Sequence, residues 1–241
     1  MALNNPRCQC DPSCKDPPLD GLPFCEKHNR NGCPRVSPTT LSYPVYSPDK
    51  FNKFPGVKQA NNCFAYAFDY IRLPKNKCTK ESCPISFPQP GRKSGYPKWS
   101  EVKGKRCPDL IARLKGDIPN LSIAKFTQKC PIGNHKIVVV TDEDEDYHFY
   151  RQDRNGYWSH KPGGTDATRL DSTGRPIYDP ALASRTYSAT GLNYDNFCGY
   201  MCVPAKKRDH KLRGGTRRYK QRKQHKQRKH TVRKHKQRKH K

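Results

Sequence analysis

Cys63 follows Asn61-Asn62 and opens the run Cys63-Phe64-Ala65-Tyr66-Ala67-Phe68-Asp69-Tyr70-Ile71-Arg72-Leu73-Pro74. Either asparagine suits a helix N-cap and Pro74 stops a helix near Leu73, so Cys63 falls in the first turn. There the free N–H groups and the helix dipole favour thiolate over thiol, the form in which cysteine is a nucleophile. The competing use of such a residue is as a small buried hydrophobe.

A thiolate hydrolase also needs an imidazole within hydrogen-bond reach of the sulfur and a polar group to orient it. His135 opens the β-branched run to Thr141, and His148 lies in the aromatic run Tyr147 to Arg151. The acids at 142 to 146 between them read as the solvated turn of a hairpin, since they lack the spacing and glycine of a calcium loop. Such a hairpin would bring both imidazoles to one sheet edge facing the Cys63 helix. A register slip of one residue would send His148 to the far face and leave the third role to His160, or to Gln152 and Asp153.

A second set of reactive residues lies before residue 34, where five of the 12 cysteines gather around His28. So short and polar a segment cannot fold by burial alone, and a zinc ion held by four ligands would supply the missing free energy. Cys25 and His28 have chelating C-x-x-H spacing, and Cys10 and Cys14 form a C-x-x-x-C arm across a turn rich in proline. The expected ligands are Cys10, Cys14, Cys25 and His28, with Cys8 and Cys33 as substitutes or outer partners. Cys78, Cys83, Cys107 and Cys130 could form a second metal site, although their spacing fixes no geometry.

The elements that must position these groups are few. A helix is expected at 108–115, with Pro108 and Asp109 in its first turn and Gly116 as its stop. A sheet follows, beginning near 121–126, clearest in the hairpin of 135–151, continuing at 156–160 and closing at 197–203. Cys198 and Cys202, four apart in that last strand, should share a face. Residues 34 to 60 and 75 to 106 read as irregular connectors.

The formal net charge of +27 is uneven: residues 206–241 hold 19 of the 48 Lys and Arg against one acid, Asp209. Their five-residue repeat, Lys226-Gln227-Arg228-Lys229-His230 and its two successors, supplies nothing to bury and is expected to be disordered and to bind nucleic acid by counterion release. No apolar run is long enough to span a bilayer, and the N-terminus lacks a secretory hydrophobic segment. The expectation is an intracellular, reducing location, in the nucleus or, for a viral protein, the viral factory or virion, and not a secreted one.

With those residues in view, the sequence resembles the NlpC-type branch of papain-like cysteine peptidases and amidases. The matching stretches are Asn62-Cys63-Phe64-Ala65-Tyr66-Ala67, His135-Lys136-Ile137-Val138-Val139 and Asp146-Tyr147-His148-Phe149. The order Cys, His, His agrees with the family, whereas Asn62 and Phe64-Ala65 depart from its usual Asp before the cysteine and Ser-Gly after it. The resemblance implies a papain-like helix packed on an antiparallel sheet and hydrolysis of a peptide, amide or thioester through a Cys63 acyl-enzyme, with His135 as base and His148 as its orienting partner. The basic tail also resembles those of proteins of large double-stranded DNA viruses.

The sequence thus leads to an α+β chain in four parts: a zinc module (1–35), an extended connector (36–59), a papain-like core (60–204) and a polybasic tail (205–241). Its expected function is a cysteine hydrolase tethered to nucleic acid or a virion interior by the basic tail. The alternative is a non-enzymatic nucleic-acid-binding or packaging protein built on a structural core.

Overall fold

The computed structural model describes residues 6–73, 86–99, 106–143 and 145–205. Cys78, Cys83 and the basic segment 206–241 lie outside the described residues.

A nine-residue strand, β2 (Asn134–Asp142), is the centre of the molecule. It pairs antiparallel with β3 (Asp146–Gln152) on one side and β7 (Asn196–Pro204) on the other. Adding β1 (Ser122–Ala124) outside β7 and β4 (Trp158–His160) outside β3 gives a five-stranded antiparallel sheet of order β1-β7-β2-β3-β4. A two-stranded ribbon, β5 (Thr186–Tyr187) with β6 (Leu192–Asn193), stands apart from it. The acids at the mouth of the β2–β3 hairpin hold this ribbon: Asp142 accepts from the Asn193 N–H at 2.8 Å and Asp146 from the Tyr194 hydroxyl at 2.9 Å.

The helices are short. They are α1 (Glu26–Asn31), α2 (Asp49–Asn52), α3 (Pro55–Ala60), α4 (Cys63–Ala67) and α5 (Cys107–Asp117). Cys63, Phe64 and Phe68 with Leu110 and Leu114 of α5 cover one face of the sheet, against Ile137, Val139, Tyr147, Phe149, Met201 and Val203. The other face buries Val138, Val140, Tyr150, Trp158 and Tyr200 under Tyr43 of the connector and Ile177 of the 161–185 loop. With both faces covered, β2 is buried without a break from His135 to Thr141, and its centre, Ile137 to Val140, is an apolar run rather than an alternating one. The architecture is therefore mixed α/β with an antiparallel sheet, as expected at that level.

Buried polar side chains fasten the connector to the sheet. Lys136 donates to the Ser37 hydroxyl at 2.8 Å and to the Phe126 carbonyl at 2.6 Å, while Gln152 exchanges two hydrogen bonds with Ser37. Burial lowers the Lys136 ammonium to about 8, and its hydrogen bonds go to these protein acceptors in place of water.

Asn62 caps α4 as expected, its side-chain oxygen accepting from the Ala65 N–H at 3.2 Å. The helix nevertheless ends at Ala67, not near Leu73. Asp69 takes the left-handed conformation (φ 47°), and the Asp69 and Tyr70 N–H groups bond back to the carbonyls of Tyr66 and Ala65 at 3.0 and 2.9 Å. This is the Schellman termination, here made with aspartate in place of glycine.

Three disulfides join elements distant in sequence among the described residues: Cys10–Cys33, Cys107–Cys198 and Cys130–Cys202. They correct two expectations. Cys107 and Cys130 are bonded and cannot serve a second metal site, and bonded cysteines at three places point to an oxidising compartment rather than the reducing interior expected for a chain that is not secreted. No helix among the described residues is long and apolar enough to cross a membrane.

Candidate functional site

The residues expected to form a hydrolase site are divided between the two faces of the sheet. Cys63 is on the α4 face with its thiol directed at the Tyr147 carbonyl, 3.9 Å away. Complete burial, reinforced by the negative charge of Asp146, pushes that thiol up to about 12, so it is not a thiolate near neutral pH. Placement at a helix start is outweighed because α4 has little more than one turn and its first turn is packed away from water.

His135 is on the same face but serves the other end of the same helix. Its Nε2–H donates to the carbonyl of Ala67, the last residue of α4, at 2.8 Å. His148, opposite Val140 in the β2–β3 register, lies on the far face, as the slipped register would require. There its Nε2 meets Nδ1 of His160 at 2.8 Å, and His160 Nε2–H donates to the Leu170 carbonyl at 2.8 Å. Gln152 binds Ser37, and Asp153 is buried between Arg151 and Arg169. The imidazoles and the other candidates for the third role are thus occupied in holding elements together.

The N-terminal cluster does converge. Cys25 is the N-cap residue of α1 and His28 lies in that helix, which brings Cys25 Sγ within 3.2 Å of His28 Nδ1. Cys8 Sγ is also 3.2 Å from His28 Nδ1 and accepts the Cys25 N–H at 3.2 Å. Cys14 Sγ lies 3.7 Å from Cys25 Sγ. The four ligand atoms are all within 4.8 Å of one another, and the group could hold a metal ion. Cys14, Cys25 and His28 are the expected ligands. Cys10, the fourth expected ligand, is bonded to Cys33 and outside the group, and Cys8, expected as a substitute, takes its place. The physical reason is the Cys10–Cys33 bond, which occupies the Cys10 sulfur, whereas Cys8 stays a free thiol in contact with His28 Nδ1 and the Cys25 N–H.

Without a cation these thiols do not ionise together. Burial raises Cys8, and raises Cys14 to about 11. For Cys25 burial acts upward, but hydrogen bonds from the His28 backbone and the neighbouring thiols bring it below the ordinary thiol range. A positive ion at the centre would reverse the balance for Cys8 and Cys14 and favour the Cys25 thiolate further.

Sequence reasoning missed residues that organise the long loops. Asp117, at the end of α5, accepts from the Gly91 and Ser94 N–H groups at 2.7 and 2.8 Å. Lys161 donates to the carbonyls of Lys58, Asn61 and Gly163. Neither belongs to a local motif, and only the tertiary contacts reveal them.

Fold and side chains together define a disulfide-tied, antiparallel-sheet protein with a Cys₃His cluster in its N-terminal segment. The comparison with known proteins gives that class its family. The chain is 34% identical over 158 residues to insoluble matrix shell protein 1 of Ruditapes philippinarum, a match covering 66% of this chain and 88% of that protein, and it belongs to the same family. No protein-family model matches the chain, and no solved structure does. This kinship overturns the expectation of a cysteine hydrolase and with it the description as a peptidase. The physical reason is that the Cys63 thiol is buried and un-ionised, His135 is bonded to the Ala67 carbonyl, and His148 lies on the far face of the sheet.

Proposed function

We propose that this chain is a non-enzymatic structural protein of an insoluble matrix such as a shell, a cross-linked domain that anchors polyanions through its basic C-terminal segment. The observation that carries the reading is the kinship over 88% of a shell matrix protein. Three disulfides support it: a domain fixed by covalent links between distant segments keeps its shape outside a reducing cell. The test is fractionation of the source tissue with an antibody to the folded part. Recovery with the insoluble matrix is expected, and recovery confined to cytosol or nucleus would overturn the proposal.

The segment 206–241 supplies the charge for binding phosphate- or carboxylate-rich polymers, nucleic acid among them, through release of their counterions. Full-length protein should bind a fluorescent oligonucleotide with affinity that falls steeply with salt, and a chain ending at Pro204 should bind far more weakly with a flatter salt dependence. Equal slopes for the two would remove the tail from this role.

The Cys8, Cys14, Cys25 and His28 group holds zinc in this reading. Zinc bonds of about 2.3 Å to sulfur and about 2.1 Å to nitrogen place tetrahedral ligands roughly 3.8 Å apart for two sulfurs and roughly 3.6 Å for sulfur and nitrogen. The Cys14–Cys25 spacing of 3.7 Å matches the first value, the two S···N spacings of 3.2 Å are a little shorter than the second, and all four ligand atoms lie within 4.8 Å of one another. Four protein ligands leave no open position, so the ion would be structural rather than catalytic. Elemental analysis should find one zinc per chain, lost in Cys25→Ser. Less than a tenth of an equivalent after zinc loading would exclude the site.

A further inference from the structure

We propose that the metal centre acts as a latch that keeps Gln9 inserted in the core and so fixes the N-terminal module to the sheet, an inference that rests on metal binding at the Cys₃His group. Gln9 lies between a cluster cysteine, Cys8, and a disulfide cysteine, Cys10. Its side chain is buried in the loop that leads from β4 towards the ribbon. There Nε2 donates to the Pro176 carbonyl at 3.2 Å, and Oε1 accepts from the N–H groups of Tyr178 and Asp179 at 2.6 and 3.2 Å. A single amide thus satisfies three backbone groups of that loop.

The loop is firmly part of the core. Ile177 accepts the Trp158 N–H at 2.9 Å, and the Asp179 carboxylate takes the Tyr200 hydroxyl from β7. Around Gln9 the module makes supporting contacts. Arg35 pairs with Asp179 at 3.1 Å, the Tyr178 hydroxyl donates to the Arg35 carbonyl at 2.7 Å, and Phe24 packs edge-on against Tyr178 at 4.8 Å.

A buried amide is favourable only while its hydrogen bonds are made, and it must be held within a few tenths of an ångström to make three. The Cys10–Cys33 disulfide fixes the chain after Gln9. Before it, the chain is fixed by Cys8, whose sulfur has its cluster contacts and the Cys25 N–H but no covalent link. A metal–thiolate bond at Cys8 completes the clamp. Its loss leaves that end of Gln9 held by hydrogen bonds alone, in a module whose one helix among the described residues is the six-residue α1.

The test is amide hydrogen exchange at Tyr178 and Asp179 in the full-length protein with its disulfides intact, comparing zinc-loaded and EDTA-treated samples. Removal of zinc should speed exchange at these two amides by about tenfold or more while leaving the β2 and β7 amides unchanged, the pattern of a local opening. Gln9→Ala should bind one zinc yet exchange rapidly at both amides with or without it. Stoichiometric zinc binding with unchanged protection after EDTA would overturn the latch and leave the metal site standing. Failure to bind zinc at all would overturn both.

Discussion

His148 donates its Nε2–H to Nδ1 of His160 inside a closed aromatic environment, 2.8 Å apart, and this pair makes the fold sensitive to acid. The direction is fixed by His160, whose Nε2–H is committed to the Leu170 carbonyl, leaving Nδ1 as an acceptor. Tyr150 packs beside both rings and Tyr194 against His148. Burial pushes His160 down to about 4 and His148 well below the ordinary histidine value, so both are neutral in the folded state. Below about pH 6.5 the unfolded chain takes up two protons that the folded chain refuses, and stability is lost as pH falls towards 4. The slope should approach about 2.7 kcal/mol per pH unit in mid-window. Urea unfolding at pH 7.5, 6 and 5 measures it, with His160→Gln as the control in which the slope shrinks. Stability independent of pH over that range would refute the assignment.

The thiol of Cys63 should be inert in the native protein. With ionisation pushed up to about 12 and the sulfur enclosed by the core, iodoacetamide at pH 7 should leave it unlabelled for hours and modify it only on unfolding. Cys63→Ala should cost roughly 1–2 kcal/mol through lost packing and change nothing else. Rapid native labelling, resolved by peptide mapping, would contradict this burial.

Patterns local in the chain were legible in the sequence. The cap at Asn62 marked the start of α4, the β-branched and aromatic runs marked the hairpin, and α5 and β7 were placed to within two residues at each end. The end of α4 was not legible, because its left-handed residue is an aspartate held by tertiary contacts rather than a glycine. The metal group was read with three of four ligands, since the partner of Cys10 lies across 23 residues and spacing alone did not reveal the disulfide. The imagined triad rested on each histidine being free to act, and both are consumed by interactions that only the assembled sheet creates.

Cys198 and Cys202 illustrate the same limit and carry the third prediction. Four apart in one strand they should share a face, yet Cys198 reaches Cys107 of α5 while Cys202 reaches Cys130 on the other side. The register slips between Val139 and Val140, whose partners are Gly199 and Phe197, so Cys198 is the extra residue of a bulge. Gly199 makes the bend with φ 117°, a conformation that strains any L side chain. Gly199→Val should therefore lower the yield of the Cys107–Cys198 bond, counted by mass spectrometry after alkylation. Cys107→Ser with Cys198→Ser should lose about 4 kcal/mol of stability, as expected for a bond closing 91 residues. A full yield of the bond in Gly199→Val would show that the bulge is not what turns Cys198 to α5.

Asp69 joins the end of α4 to the sheet, and its removal should be felt in both. Its left-handed backbone costs about 1 kcal/mol relative to a glycine. The cost is offset because its carboxylate reaches Nη1 of the fully buried Arg151 at 3.1 Å and lies 3.6 Å from the Lys50 ammonium. Arg151 also stacks on the Tyr66 ring at 4.0 Å and shares Asp153 with Arg169, so this guanidinium is the junction between α4 and β3. Asp69→Ala keeps the backbone strain and deprives a buried cation of one of its two carboxylates, for a loss of roughly 3 kcal/mol. Asp69→Gly removes the strain as well and should lose less, roughly 2 kcal/mol. Asp69→Asn retains a short polar side chain that tolerates the left-handed region and can still accept a hydrogen bond, so it should be the mildest of the three. The ranking Asn, Gly, Ala in increasing damage, read from chemical denaturation at pH 7.5, separates the charge from the backbone. An alanine variant as stable as the parent would mean that Arg151 is neutralised by Asp153 alone.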